Sequence, residues 1–298
     1  MSISALAAGN TNDFQIRDPL IPAEQIRHGG PPRDGIPSLD NPSFIKALKN
    51  RLLKDNDRIL GLTYQGVSKA YPVRILDHHE LVNDLFNGYP VLISYCPLCG
   101  TGMAFDAKVN GHSLEFGVSG LLYNSDVLMY DRSTESLWSQ ILQTAISGKM
   151  KGQRLNMLPL EHTSWGDWRQ RHPNTLLLSF DTGHRRSYKI TPYWGYSSSE
   201  RLYFPISHQD KRYHPKEIIV GISINGVHKA YPFIELKNIQ QPLLDTVGNS
   251  AIQIHYNPAD RSARVLDTNN QLIPSLTAFW FAWYTFHPDT AVFTAESQ

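Results

Sequence analysis

Apolar and polar positions alternate through Ile59-Leu-Gly-Leu-Thr-Tyr64, break at Gln65-Gly66 and resume as far as Ala70-Tyr-Pro72. A period of two on either side of a two-residue turn signal predicts a β-hairpin. The same pattern returns as Ile219-Val-Gly-Ile-Ser-Ile-Asn-Gly-Val-His-Lys-Ala-Tyr-Pro232, with Gly226 standing 160 residues after Gly66. Apolar runs from Pro90 to Tyr95 and from Ala251 to Tyr256 predict a further strand in each copy, and the next strand leads to Asp106 in one and Asp267 in the other. Asn110-Gly111 and Asn269-Asn270 mark the turns that follow. Trp165-Gly-Asp-Trp168 and Trp280-Phe-Ala-Trp283 have the spacing of short helices, each ended by a His-Pro pair at His172 and His287, now only 115 residues apart. The shorter offset places an extra segment, roughly residues 112 to 160, in the first copy alone.

These elements predict a mainly β protein with short helices (α+β), built as two internally duplicated antiparallel β units of which the first carries an insertion. Residues 1–49 lack the repeat and read as an N-terminal arm, rich in turn residues at Gly29-Gly-Pro-Pro-Arg-Asp-Gly-Ile-Pro37. The first repeat then covers 50–180, an aromatic-rich linker 181–216, and a second, degenerate repeat 217–298. The linker holds too many Tyr and Trp residues to serve as a simple flexible tether.

With 28 Lys+Arg against 27 Asp+Glu, the chain lacks the basic excess that phosphate neutralisation demands, so nucleic acid is not an expected partner. No apolar stretch reaches the roughly 18 to 20 residues that span a bilayer as a helix, and no integral membrane segment is expected. Ile3 to Ala8 is apolar, but no cationic segment precedes it and it is short for a signal peptide. The chain as given reads as cytoplasmic, and as exported if a leader has been trimmed.

Cys96 and Cys99, the only two cysteines, fall in one Cys-Pro-Leu-Cys. A disulfide closing so short a loop would constrain little of the unfolded chain, so stability alone does not account for them. The repeat supplies an internal control, because residues present in both copies are explained by the shared fold. The second copy has Asn257 and Asp260 in place of Cys96 and Cys99, and Ile239 and Gln240 in place of His79 and Glu80. Thiolates and a neutral imidazole are ligands that soft and borderline metals select, so Cys96, Cys99 and His79 form a candidate site for copper or zinc, with His78 and Met103 in reserve. A single Cys-x-x-Cys serves equally as a redox dithiol or as a structural pair, and these readings stand beside the first. His78-His79-Glu80 with Leu81, Val82 and Leu85 reads as the start of a helix. The insertion contributes Ser119, Asp131 and Arg132, polar groups of the kind that orient a small-molecule ligand or substrate in a pocket. Together with Glu80, a candidate general base, they are the candidate catalytic residues. Gly117-Val-Ser-Gly120 does not have the spacing of a serine-hydrolase elbow. No zincin, phosphate-loop or dinucleotide-binding motif occurs.

Gly29–Pro37, Ala70-Tyr-Pro72, His79-Glu-Leu-Val-Asn-Asp84, Tyr95-Cys-Pro-Leu-Cys99, Gly117–Gly120, Tyr130-Asp-Arg132, Leu137-Trp-Ser-Gln140 and Pro215-Lys216 together resemble the DUF3179 family of bacterial and archaeal proteins. The resemblance covers most of the chain. It implies that the His-Glu, Cys-Pro-Leu-Cys and Ser-Gly elements are the family's hallmark and that many relatives are exported, a point on which this chain departs by showing no clear leader. It names no reaction. The expectation is a metal-binding protein, and an enzyme of copper redox or zinc type, with a pocket near Cys96, Cys99 and His79. A thiol-disulfide oxidoreductase and a non-catalytic ligand-binding protein are the alternatives.

Overall fold

A computed structural model describes residues 11–297. The apolar run Ile3 to Ala8 lies outside them. The protein is mainly β, with short helices. Both hairpins form as the alternation predicts. Arg58–Tyr64 pairs with Val67–Pro72 and Ile218–Ile224 with Val227–Pro232, and both turns place two successive residues in the left-handed region, Gln65 and Gly66 at φ 48° and 75°, Asn225 and Gly226 at 51° and 78°. This is the mirror-image turn whose twist matches the strands it joins.

The sheets do not form two duplicated units. They form a propeller-like ring of five. The first sheet runs Glu161–Ser164, Arg58–Tyr64, Val67–Pro72, Leu176–Leu178, Phe44–Lys46, and the second runs Asn156–Leu158, Thr101–Asp106, Tyr89–Cys96, Leu81–Phe86, Leu39–Asp40. The third, built on the insertion, orders Ile26–His28, Phe116–Tyr123, Asp126–Asp131, Leu137–Ser139, Thr144–Ser147. The fourth (Leu276–Phe279, Ile218–Ile224, Val227–Pro232, Ala291–Val292) and the fifth (Leu243–Val247, Ser250–Asn257, Ser262–Leu266) follow. The repeated segments thus each fall into two sheets, separated by the one-turn helices Val73–Leu76 and Phe233–Leu236, and the insertion makes a sheet of its own. A period in sequence reports which segments are alike, not how many sheets each one folds into.

The helix expected after His78 is absent. Leu81–Phe86 is a strand paired with Tyr89–Cys96, because Glu80 takes a φ of 59° that ends the preceding turn, and Asn87-Gly88 (φ 48° and 86°) closes a hairpin. Trp165–Arg171 and Trp280–Phe286 are helices, as their spacing predicts. In each, the second Trp lies flat against a glycine of the hairpin. A Cβ on Gly61 would sit 2.4 Å from the Trp168 ring, and one on Gly221 would sit 2.3 Å from that of Trp283. Both indole nitrogens donate to a threonine at 2.9 Å, Thr175 and Thr290. No helix among the described residues is long and apolar enough to cross a membrane.

A second repeated device ties each hairpin to the next sheet. Lys69 Nζ donates to both oxygens of Asp84 at 2.8 and 2.9 Å and to the Leu85 carbonyl at 2.9 Å, while Tyr71 donates its hydroxyl to Asp84 at 2.5 Å. Lys229, Asp245 and Tyr231 repeat it at 2.6 and 2.8 Å. The first pair is the more buried, with side-chain exposures of 8% and 5% against 22% and 19%. Removing one partner of a buried pair leaves the other charged and desolvated, at a cost of about 3–5 kcal/mol. Asp84→Ala is therefore expected to lower unfolding free energy by about that amount, and Asp245→Ala by clearly less, in urea titrations followed by Trp fluorescence.

Candidate metal centre

The strands Tyr89–Cys96 and Thr101–Asp106 are joined by a tight turn in which the Cys99 amide donates to the Cys96 carbonyl at 3.2 Å. Gly100 completes it at φ 61°, and the Phe279 ring lies so close that a Cβ there would stand 2.9 Å from it. Phe279 also fixes the turn through its amide, which donates to the Cys99 carbonyl at 2.8 Å. The two thiols are thereby held on one side of the turn, facing the start of the strand Asp126–Asp131. Asn124 and Ser125 precede that strand in left-handed conformation, at φ 52° and 65°, which aims the Ser125 carbonyl and the Asp126 side chain at the cysteines. Cys99 Sγ lies 3.4 Å and Cys96 Sγ 3.8 Å from the Ser125 carbonyl oxygen.

Cys96, Cys99 and Asp126 each offer a ligand atom, and the three atoms lie within 4.8 Å of one another, all buried. Both cysteines are free thiols. The Ile141 amide donates to Asp126 Oδ2 at 3.1 Å, whereas Oδ1 is buried and meets no N–H or O–H donor among the described residues; the carboxyl faces the two thiols, whose S–H groups favour its charged form. A buried carboxylate oxygen without an N–H or O–H donor costs free energy, and this one stands beside two thiols.

The electrostatics agree. Burial pushes Asp126 up to about 7, and it raises Cys96 and, much further, Cys99. Glu80 is pushed up to about 8 by burial and then by the charges of Asp126 and Asp77, and its carboxyl makes no hydrogen bond among the described residues. Tyr193 and Tyr196 from the linker lie against this group, and burial raises both phenols, helped for Tyr193 by Glu80 and Cys96 and for Tyr196 by Cys99 and Cys96. The Tyr196 hydroxyl is another buried atom without a partner. Lys216 stands 4.1 Å above the Tyr196 ring and donates to the Ser199 and Arg201 carbonyls, which pins the linker over the site. The centre is thus a desolvated cluster of four acidic groups, each holding its proton more tightly than it would in water.

His79 is not brought to the cysteines. Its Nδ1 is bonded to the Pro37 carbonyl at 2.8 Å and its Nε2 to the Tyr188 hydroxyl at 2.7 Å, so both nitrogens are spent holding the arm and the linker. His78 bonds the Ile190 carbonyl at 3.0 Å, and Met103 is buried in the core that also contains both cysteines. The insertion's three candidates serve the fold. Ser119 Oγ donates to the Leu128 carbonyl and accepts from the Leu121 amide at 3.0 Å, bridging a bulge in its own hairpin. Both carboxylate oxygens of Asp131 are filled by Ser133, Thr134 and the Trp138 indole. Arg132 donates to Ser38 at 2.9 Å and pairs with Asp34 and Asp40 at 3.6 and 3.4 Å, clamping the N-terminal arm. Ser119 and Asp131 are thus buried and bonded within the insertion, whereas Arg132 keeps part of its guanidinium at the surface. Asp126 was missed because it stands in the insertion, where no second copy exists for comparison, and no fixed spacing links it to Cys96.

A family model described as Protein of unknown function (DUF3179) matches residues 33–290. The chain belongs to the DUF3179 family. The part of this DUF3179 protein that matches contains Glu80, Cys96, Cys99 and Asp126, and also the linker tyrosines over them. No curated protein and no solved structure matches the chain.

The burial of Glu80 has a measurable sign. Its pKa is about 8 in the folded protein against an ordinary 4.5, so the folded state keeps a proton that the unfolded chain releases, and stability is lost as pH rises from about 4.5 through 8. His79, His162 and His287 act the other way, being held neutral with values near 4, 3 and 3, but only below their ordinary 6.5. Asp126, raised to about 7, has the same sign as Glu80 and is mostly spent by that pH, so between pH 7 and 8 Glu80 is the larger contributor. Metal-free protein is expected to lose about 1 kcal/mol of stability over that unit, and Glu80→Gln to remove most of that loss while leaving the Asp126 part below pH 7, in urea unfolding with chelator present.

Proposed function

We propose that this chain is a metalloprotein that binds one divalent transition metal, zinc before copper, through Cys96, Cys99 and Asp126, and that the centre is catalytic, with a small-molecule substrate. The observation that carries this reading is the convergence of the three ligand atoms within 4.8 Å in a buried site where Asp126 Oδ1 meets no N–H or O–H donor among the described residues. Two thiolates with one carboxylate suit a borderline cation better than a hard one. Three protein ligands are also the number found in catalytic zinc sites, which keep a fourth position for water or substrate, whereas structural sites are closed by four. A zinc ion so held would supply Lewis acidity and lower the pKa of a bound water.

The protein's own groups have separable roles in this reading. Cys96 and Cys99 would release their protons to solvent as they took up the metal as thiolates, so affinity would rise with pH. Glu80, poised near 8, holds or releases a proton beside the cluster in the range where a general acid or base is most useful. Tyr193 and Tyr196 exclude water from it. The rival, a dithiol that cycles through a disulfide, requires a thiolate at neutral pH, and burial works against thiolate on both sulfurs.

Elemental analysis of protein purified without added metal, and again after reconstitution with zinc or copper, is the deciding measurement. We expect about one metal per chain, lost in Cys96→Ser, in Cys99→Ser and in Asp126→Asn, and retained in His79→Asn. Absence of metal from wild type after reconstitution with either ion sinks the proposal and promotes the dithiol. Retention in Asp126→Asn with loss in the cysteine variants would remove the aspartate from the ligand set.

A further inference from the structure

The seam between the first and fifth sheets is the counterpart, in the second copy, of the seam that holds the cysteines. Asp260 occupies the place of Cys99, and Ser164 that of Phe279, each of the latter pair standing just before a Trp helix. Where Cys99 accepts the Phe279 amide, Asp260 accepts the Ser164 hydroxyl at 2.5 Å. This seam is not closed over as the other is. It opens into a groove of about 1120 Å³, whose walls include Arg51, Arg58, Arg169, Asp55, Asp260 and Arg261.

The charges lining the groove do not cancel locally. Asp55 is paired with Arg169 at 2.8 Å and Asp167 with Arg171, while Asp260 is held only by neutral donors, the Ser164 hydroxyl and the Asn257 amide at 2.6 Å, so one carboxylate charge also faces the groove beside Arg58. Three guanidiniums remain that make no ion pair among the described residues. Arg51 donates only to the Leu48 and Asn50 carbonyls at 3.2 and 3.0 Å, and Arg58 only to the Asp260 carbonyl. The Arg261 side chain makes no hydrogen bond among the described residues. Arg58 is largely buried, and the combination of burial with the neighbouring Arg261 charge lowers its pKa to about 10, with Asp260 and Asp167 compensating only in part. Guanidiniums keep their charge, so a buried one facing a second is a standing electrostatic cost that an anion between them removes.

We propose that this groove binds a small oxyanionic molecule, a phosphate monoester or a polycarboxylate, whose anionic group is gripped by Arg58 and Arg261 with Arg51 at the rim. The planar fork of each guanidinium matches either group through paired N–H donors. The groove is large enough for more than the anion itself, so an organic body accompanies it. The proposal does not depend on the metal centre, which occupies the other seam.

Isothermal titration at low ionic strength tests it, with inorganic phosphate and citrate as probes and chloride at matched ionic strength as control. At least one probe should bind saturably in the millimolar range or tighter, and Arg261→Ala should weaken it about tenfold, the usual worth of one charge-assisted hydrogen bond. The Arg261 side chain is exposed and makes no hydrogen bond among the described residues, so its variant should keep the wild-type melting temperature. Preference for phosphate assigns the phosphate-ester class and preference for citrate the polycarboxylate class. Binding must also survive in Cys96→Ser/Cys99→Ser, which separates it from anion capture by a metal. The proposal is overturned if neither probe binds saturably, if the Arg51→Ala/Arg261→Ala double variant binds as tightly as wild type, or if the cysteine variant abolishes binding.

Discussion

Lys69, Asp84 and Tyr71 form the knot on which the geometry of the first half depends. An ammonium and a carboxylate taken out of water repay their desolvation only when the remaining donors and acceptors are also satisfied, and here the Leu85 carbonyl and the Tyr71 hydroxyl do so. The knot's contribution is more to register than to net stability. Because Lys69 and Tyr71 lie in the first hairpin and Asp84 in the first long strand of the next sheet, the contact sets how the two sheets meet. Tyr89–Cys96 takes its register from Leu81–Phe86, with Leu81 opposite Ser94, so the knot also determines where the strand ends and the cysteine turn begins. The Phe44 and Phe86 rings within 4.2 and 4.6 Å of the Lys69 ammonium keep water from competing.

The second half repeats the knot in a wetter form, and its sheets meet in the same way while carrying different chemistry. At one seam the fold gathers two thiols and two carboxyls with a roof of tyrosines and no ion pair to neutralise them. At the other it gathers arginines. A contact between a turn and the residue ahead of a Trp helix is common to both, made by backbone between Phe279 and Cys99 and by side chains between Ser164 and Asp260. One scaffold thus presents a buried cluster of proton-holding acidic groups and an open groove rich in arginine. The difference comes from a handful of side chains and from the linker, which covers only the first.

Much of the local structure was legible in the sequence because it rests on short-range rules. Gln65-Gly66 and Asn225-Gly226 are what a mirror-image turn demands, and the Trp-x-x-Trp segments carry helical spacing. The cysteines stood out because the second copy lacks them. The ring of five sheets was not legible, since it depends on how sheets pack and on edge strands borrowed from the N-terminal arm, and neither leaves a period in the chain. The strand Leu81–Phe86 was misread as helical because its apolar positions fit both spacings, and the deciding feature is the positive φ of Glu80, which composition does not reveal.

His79 and Asp126 show what a comparison between copies can and cannot mark. Absence from the second copy marks anything peculiar to the first, whether chemistry or attachment. His79 is peculiar because its imidazole ties the arm and the linker to the first copy, bonding one of each, Pro37 and Tyr188. Asp126 has no counterpart to be compared with, so the method was silent on it. What separates the two is satisfaction of hydrogen bonds. The buried histidine has both nitrogens engaged, which leaves no lone pair for a metal, and the buried aspartate has an oxygen that meets no N–H or O–H donor among the described residues. In a desolvated interior that asymmetry marks His79 as held by the chain itself and leaves Asp126 available for the role proposed for it.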